Sequence, residues 1–213
     1  MRNVINLVNL SLNNFLSVKM MALFIVVAFG GASLFNPGFS SMLVGMITYV
    51  IAYQTMAYED SYGIDHMISH LPVTRNEYVI SRYIFGIITI VGASILCALI
   101  FFISKKMNLV DLTGIDYKMI LYIGIISAVV LVSILIPVLL YFGMKKGRIA
   151  TIFIFMVIGM IPSLVIDDIE TAMNILNKLS EMNINLLSGV LTILILLISY
   201  FITRFLYEKK EII

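Results

Sequence analysis

Residues 119–142 read MILYIGIISAVVLVSILIPVLLYF, with no Lys, Arg, Asp, Glu or His among them. A helix needs about 20 apolar residues to cross the hydrocarbon core of a bilayer, so this stretch is long enough to span it. Five further runs repeat the pattern at residues 20–35, 39–57, 83–104, 149–166 and 186–203, again without Lys, Arg, Asp, Glu or His. Strand-like alternation is absent, and open sheet edges cannot be satisfied in lipid, which leaves helices as the spanning elements. The expected fold is all-α integral membrane, with six transmembrane helices.

The remaining composition fits that solvent. Hydrophobic residues make up 61% of the 213-residue chain and charged residues 12%, against about 25% charged in an average soluble domain. The mean hydropathy is +1.07. A net charge of +2 gives no basis for a nucleic-acid partner. Short connections leave no room for a soluble domain of even ~50 residues, so residues 1–213 are expected to form one transmembrane domain. Cys97 is the only cysteine and falls mid-run, which excludes an intrachain disulfide and reads as small-residue packing.

Ahead of the first run, Asn6, Asn9, Asn13 and Ser17 recur at helical spacing, and Ile5, Val8, Leu12 and Phe15 occupy another face. This is the pattern of a helix lying in the membrane interface over residues 1–19, with the chain turning inward at Lys19. Basic residues then set the orientation. With both termini in the cytoplasm, ten Lys and Arg lie inside (Arg2, Lys19, Arg75, Arg82, Lys145, Lys146, Arg148, Arg204, Lys209, Lys210), and four lie outside (Lys105, Lys106, Lys118, Lys178). On the outer side Asn36-Pro37-Gly38 is a tight turn. Residues 167–185 read as an amphipathic connector, with Asp167 and Glu170 as a capping pair.

The inner side carries one long hydrophilic loop, residues 58–82, YEDSYGIDHMISHLPVTRNEYVISR. Pro72 stops a short helix there, and Thr74 and Glu77 form a capping box that starts the third span, with Val73 and Tyr78 as its hydrophobic staple. Such a cap fixes the angle between loop and span. His66 and His70, four apart, share a helix face, but Met67 stands where a metalloprotease helix needs Glu. No metal site is expected, and Asp65, His66 and His70 read as a solvated or partner-facing surface.

Ionisable residues within spans are the usual carriers of ion coupling, and their absence speaks against a proton-coupled antiporter, a voltage sensor or an intramembrane hydrolase. No GxxxxGK[ST] motif is present, so the chain is expected neither to be an enzyme nor to bind ATP itself. Gly143-Met144-Lys145-Lys146-Gly147-Arg148 is read as a basic inner turn. Ala28 with Ala32 and Gly124 with Ala128 allow close helix approach, and Pro137 and Pro162 mark interruptions of spans four and five.

In layout and in the segment His70-Leu71-Pro72-Val73-Thr74-Arg75-Asn76-Glu77-Tyr78-Val79-Ile80-Ser81-Arg82-Tyr83, the chain resembles the membrane subunits of type-2 ABC exporters. Many small members of that family show Leu-Leu-Pro-Val-Ser-Arg followed by Ser-Lys/Arg-Tyr; here His70 replaces the first Leu and Thr74 the Ser. The resemblance implies an amino-terminal elbow helix and a coupling helix between spans two and three. It implies a second permease subunit, in a homo- or heterodimer, and a separate cytoplasmic ABC ATPase subunit that carries ATP and Mg. The localisation implied is the bacterial cytoplasmic membrane. Glu59, Asp60, Tyr62, Asp65, His66 and His70 are then the exposed residues offered to the ATPase, and Thr74 and Glu77 carry its movement into span three. Thr48, Tyr49, Tyr53 and Gln54 add polar groups to span two and are candidates for a cargo path. By analogy with phenol-soluble modulin exporters and bacteriocin-immunity transporters, the expected cargo is an amphipathic or hydrophobic peptide. A non-transporting scaffold or sensor accessory that docks a regulatory protein is the alternative, and an intramembrane enzyme a third class.

Overall fold

The computed structural model describes residues 2–17, 19–35, 37–64, 67, 72–106, 117–165 and 184–209. The described residues contain helices and no strand: α1 (Arg2–Ser17), α2 (Lys19–Phe35), α3 (Pro37–Ser61), α4 (Arg75–Lys106), α5 (Tyr117–Val165) and α6 (Ile184–Glu208). α3 opens on Pro37, at the position where a missing N–H is harmless and a fixed φ favours the helix. It closes at Gly63, whose φ of 64° is left-handed and whose N–H donates to the Asp60 carbonyl at 3.1 Å. Glycine is the residue that adopts this C-terminal cap without a Cβ clash.

α5 is one element only in name. Gly143 has φ 69° and ψ 172°, outside the helical region. Residues eight apart in a straight helix are separated by about 12 Å along the axis. A Cβ placed on Gly147 would instead lie 3.4 Å from the Leu139 Cα and from the Val138 carbonyl oxygen. The chain therefore doubles back at Gly143 and makes a helical hairpin. Lys145, Lys146 and Arg148 are exposed on its turn, so the run read as a basic turn is one. The helix breaks at Gly143 and not at Pro137 or Pro162, where φ and ψ stay helical.

Three described segments are long and apolar enough to cross a membrane by length and composition: Arg75–Lys106, Ile120–Phe153 and Ser188–Glu208. Large apolar side chains cover their outer faces, among them Ile87, Val91, Ile95, Leu99 and Phe102 of α4, and Ile193, Ile198, Phe201 and Phe205 of α6. In water such a surface would aggregate; in lipid it is solvated. The protein is a membrane protein, all-helical among the described residues. Half of the apolar window of Ile120–Phe153 is buried against 11% of that of α6, which makes the first arm of α5 the centre of the bundle and α6 its periphery.

The core lies where α3, α4 and the first arm of α5 meet, with Val44, Ile47, Val79, Ala93, Ala128, Val132 and Ile136 fully or almost fully buried. Cys97 is buried in it. Glycines set the closest helix approaches. A Cβ on Gly45 would lie 2.8 Å from Ser127 Oγ, one on Gly86 would lie 2.9 Å from Val132 Cγ1, and one on Gly30 would lie 3.0 Å from Ile100 Cδ1. Ala128 is fully buried as its small size suggests, but Ala28 is exposed, and α2 meets α4 through Gly30 instead.

α1 forms where the sequence places it, with Asn6, Asn9, Asn13 and Ser17 exposed. Its buried ridge differs from the expected apolar face. Ile5 is exposed and Leu12 and Phe15 are half-buried, while Val8 is buried as expected and is joined by Leu7, Ser11 and Asn14. Ser11 and Asn14 go inward because polar partners wait for them on α3 and α4. Of the coupling helix expected in the loop, the described residues show only the Met67 N–H donating to the Gly63 carbonyl at 3.3 Å. Its remainder lies outside the described residues, as does the connector over residues 167–183.

Candidate functional site

α3 runs one turn past its apolar run, and the capping box starts α4 two turns before the next one. These extensions bring Glu59 and Arg82, which flank the loop in sequence, into contact. Arg82 Nη2 is 2.5 Å from Glu59 Oε2, with side-chain exposures of 2% and 3%. Removing two charges from water costs several kcal/mol per ion and holds only where the remaining donors and acceptors are met. Here most are. Arg82 Nη2 also donates to the Tyr78 hydroxyl at 2.7 Å and Nη1 to Ser11 Oγ at 2.8 Å, and the guanidinium lies over the Tyr78 ring at 4.5 Å. Asn14 Nδ2 donates to Glu59 Oε1 at 3.0 Å. Arg82 Nε has no acceptor among the described residues. One buried cluster thus joins α1, α3 and α4.

A second, exposed cluster stands at the start of α4. The Glu77 N–H donates to Thr74 Oγ1 at 3.3 Å, and Thr74 N and Oγ1 donate back to Glu77 Oε2 at 3.0 and 3.1 Å. That is the reciprocal capping box read from the sequence, and Val73 packs against the core that contains Tyr78. Asn3 Nδ2 reaches over from α1 to both Glu77 carboxylate oxygens and to the Pro72 carbonyl, each at 3.4 Å. Glu77 lies in the polar first turn, before the apolar run. The Thr74 N–H, followed by the Asn3 amide, holds its carboxyl below the ordinary carboxylate value.

The same two turns of α4 grip α6. Arg75 Nη1 donates to the Glu208 carbonyl at 2.6 Å and to that of Tyr207 at 3.4 Å, a cation on the carbonyls of a helix C-terminus. The Tyr200 hydroxyl donates to Asn76 Oδ1 at 2.7 Å, and the Tyr78 and Tyr207 rings lie 5.5 Å apart. One turn on, the Tyr83 hydroxyl bonds Ser199 Oγ at 2.6 Å and Thr203 Oγ1 at 2.7 Å, and Ser199 donates to the Ser133 carbonyl of α5. A cleft beside the ion pair is lined by Met56, Glu59 and Asp60 of α3, Tyr78 of α4, and Leu139, Leu140 and Met144 of α5. The α5 hairpin turn therefore stands at the same end of the bundle as the loop.

The site residues expected from the sequence divide accordingly. Asp60 and Tyr62 are exposed at the loop entrance, and Thr74 and Glu77 are joined in the cap. Glu59, expected at the surface, is instead buried against Arg82. Asp65, His66 and His70 lie outside the described residues. On α3, Tyr49 and Tyr53 stack with ring centroids 5.8 Å apart and, with Gln54, are half-buried. Thr48 is fully buried, at 0% exposure.

Residues that reading the sequence missed include Arg82, Asn14, Ser11, Asn3 and Arg75. A signal for the pair was present, since Glu59 and Arg82 are opposite charges placed symmetrically about the loop, each next to an apolar run. Ser11 and Asn14 share the helical face of Leu7, at spacings of four and three.

A family model described as ABC-2 family transporter protein matches residues 9–208. No curated protein and no solved structure is significantly similar to the chain.

Proposed function

The chain belongs to the ABC-2 family of transporters, and from that premise we propose that it is the membrane-spanning permease subunit of an ATP-driven exporter of amphipathic or hydrophobic peptides. Its six apolar runs cross the bacterial cytoplasmic membrane six times, with both termini and the loop between α3 and α4 in the cytoplasm. A separate ABC ATPase binds ATP and Mg and seats that loop, and a second permease subunit completes the pathway.

The observation that carries this reading is the footing of the loop. It leaves α3 beside a buried ion pair and enters α4 through a closed capping box. A push on residues 62–74 is therefore met by hydrogen-bonded helix ends and not by slack chain. Through Thr74 and Glu77 it tilts α4, and through Arg75 on the Tyr207 and Glu208 carbonyls it reaches α6. Asp60 and Tyr62, with Asp65, His66 and His70, supply the surface for the ATPase. Runs without ionisable groups favour an apolar or amphipathic cargo, because a bare charge would be costly to leave unpaired there. Tyr49, Tyr53 and Gln54 supply its polar contacts.

The test is isolation of the tagged protein from its native membrane in mild detergent, with the co-purifying chains identified by mass spectrometry. A stoichiometric P-loop ATPase, lost when Asp65, His66 and His70 are replaced by Ala, is the expected result. An intact preparation without one would overturn the exporter reading in favour of a scaffold that docks a regulatory protein.

A further inference from the structure

The route from loop to membrane that follows the chain is α4. The side chains make another route, through α1. Little apolar surface seats this helix, with Leu7 and Val8 its buried hydrophobic residues. Its other inward contacts are polar and fall on the two sides of the loop neck. Asn14 donates to Glu59 where the chain leaves α3, and Ser11 accepts from Arg82 where α4 is two turns old. Asn3 adds a third tie, to the Pro72 carbonyl and the Glu77 carboxylate. Glu59 and Arg82 are almost wholly shielded from water, so neither can exchange its partner for solvent without opening the cluster. The two ends of the loop are thereby clipped together and α1 is clipped to the clip.

We propose that Glu59 and Arg82 are positioning residues that clamp the neck of the loop and lock α1 to it. The amino-terminal helix, the end of α3 and the start of α4 then move as one body when the loop is displaced. That the displacement comes from an ATPase rests on the function proposed above; the clamp itself does not.

The experiment places spin labels at two exposed positions, Asn9 on α1 and Ser61 at the end of α3, in a Cys97→Ala background in lipid nanodiscs, and measures their distance by double electron–electron resonance. A single narrow distribution is expected, unchanged when ATP is added to the complex with its ATPase. Glu59→Gln and Arg82→Met broaden it. Because single variants of a buried pair can misfold, the deciding variant is Glu59→Leu with Arg82→Met, an apolar replacement that keeps the fold. It is expected to stay monodisperse, to lose the narrow distribution, and to export about tenfold less per ATP hydrolysed, within the range of coupling between linked sites. A narrow distribution that survives in this double variant overturns the clamp, and so does an ATP-driven separation of the labels when Glu59 and Arg82 are intact. If no ATPase co-purifies, the exporter reading fails, while the distance measured on the chain alone still decides whether the pair holds α1.

Discussion

The Glu59–Arg82 pair and the Thr74–Glu77 box are built from the same parts, a carboxylate held by hydrogen-bond donors, and both stand at the start of α4. Their surroundings make them different devices. Water reaches Glu77 and Thr74, so their bonds replace bonds to solvent and the balance is small. Around Glu59 and Arg82 the dielectric is low, the partners are fixed, and a lost partner leaves a charge with nowhere to turn. The exposed cluster defines where a helix begins, and the buried one defines which helices stay together.

The sharpest way to break the comparison is to remove one member of the buried pair. Glu59→Gln or Arg82→Met is expected to lower stability by about 3–5 kcal/mol, whereas Glu59→Leu combined with Arg82→Met is expected to be near neutral. Cys97 is the sole cysteine and is buried, so thermal unfolding followed by its labelling with a thiol-reactive fluorophore reads both. A loss from the double variant equal to that from the singles would mean that the ion pair stabilises the fold beyond what apolar packing in its place supplies.

Apolar packing supplies the next test. Gly86→Ala drives a methyl to within 2.9 Å of Val132 Cγ1, a stiff β-branched neighbour. Overpacking of this kind costs about 1–3 kcal/mol, and the same assay should show it without any change in the distance between α1 and the end of α3. Movement of α1 would show that the seat of that helix depends on the core and not on the polar cluster.

Thr74→Ala removes an N-cap and is expected to cost about 1 kcal/mol. The cap also has a pH signature. Because the Glu77 carboxyl is held below its ordinary value in the fold, its contribution is complete above the ordinary carboxylate range and is lost as the pH falls through the depressed value. Acid unfolding of Glu77→Gln should lack that part of the dependence, whereas Thr74→Ala, which keeps the backbone N–H that is its main cause, should retain most of it. Smallest of all is Glu208→Gln. Its side chain pairs with Arg204 at 3.0 Å with exposures of 43% and 49%, and an exposed pair of this kind is screened. No measurable change is expected, since the Glu208 carbonyl that caps onto Arg75 remains.

Much of the fold was legible because lipid imposes a simple grammar. Runs free of charge had to be helices, Thr74 and Glu77 at a spacing of three had to cap one, and the basic stretch around Gly143 had to be a turn. Polar residues at the ends of the runs were harder. Glu59 stands next to Asp60 and Tyr62 and reads as one of a polar group, yet helix rotation turns Glu59 inward and leaves Asp60 outside. Asn14 and Ser11 were outvoted by the cleaner stripe of Asn6, Asn9 and Asn13. Thr48 read as a polar lining because hydroxyl chemistry is local, whereas its burial depends on neighbours far away in the chain.

What the sequence determined by itself is therefore the solvent, the helices and their local caps, since these depend on composition and on residues within one or two turns of each other. Tertiary structure alone decided which charges are partners, which glycines are contact points and how α1 is seated. Those depend on the relative rotation and depth of helices far apart in the chain, with partners 71 residues apart for Ser11 and Arg82 and 133 apart for Arg75 and Glu208. In lipid every outer face is equally apolar, so hydrophobic periodicity does not fix that rotation; side-chain packing and buried hydrogen bonds do.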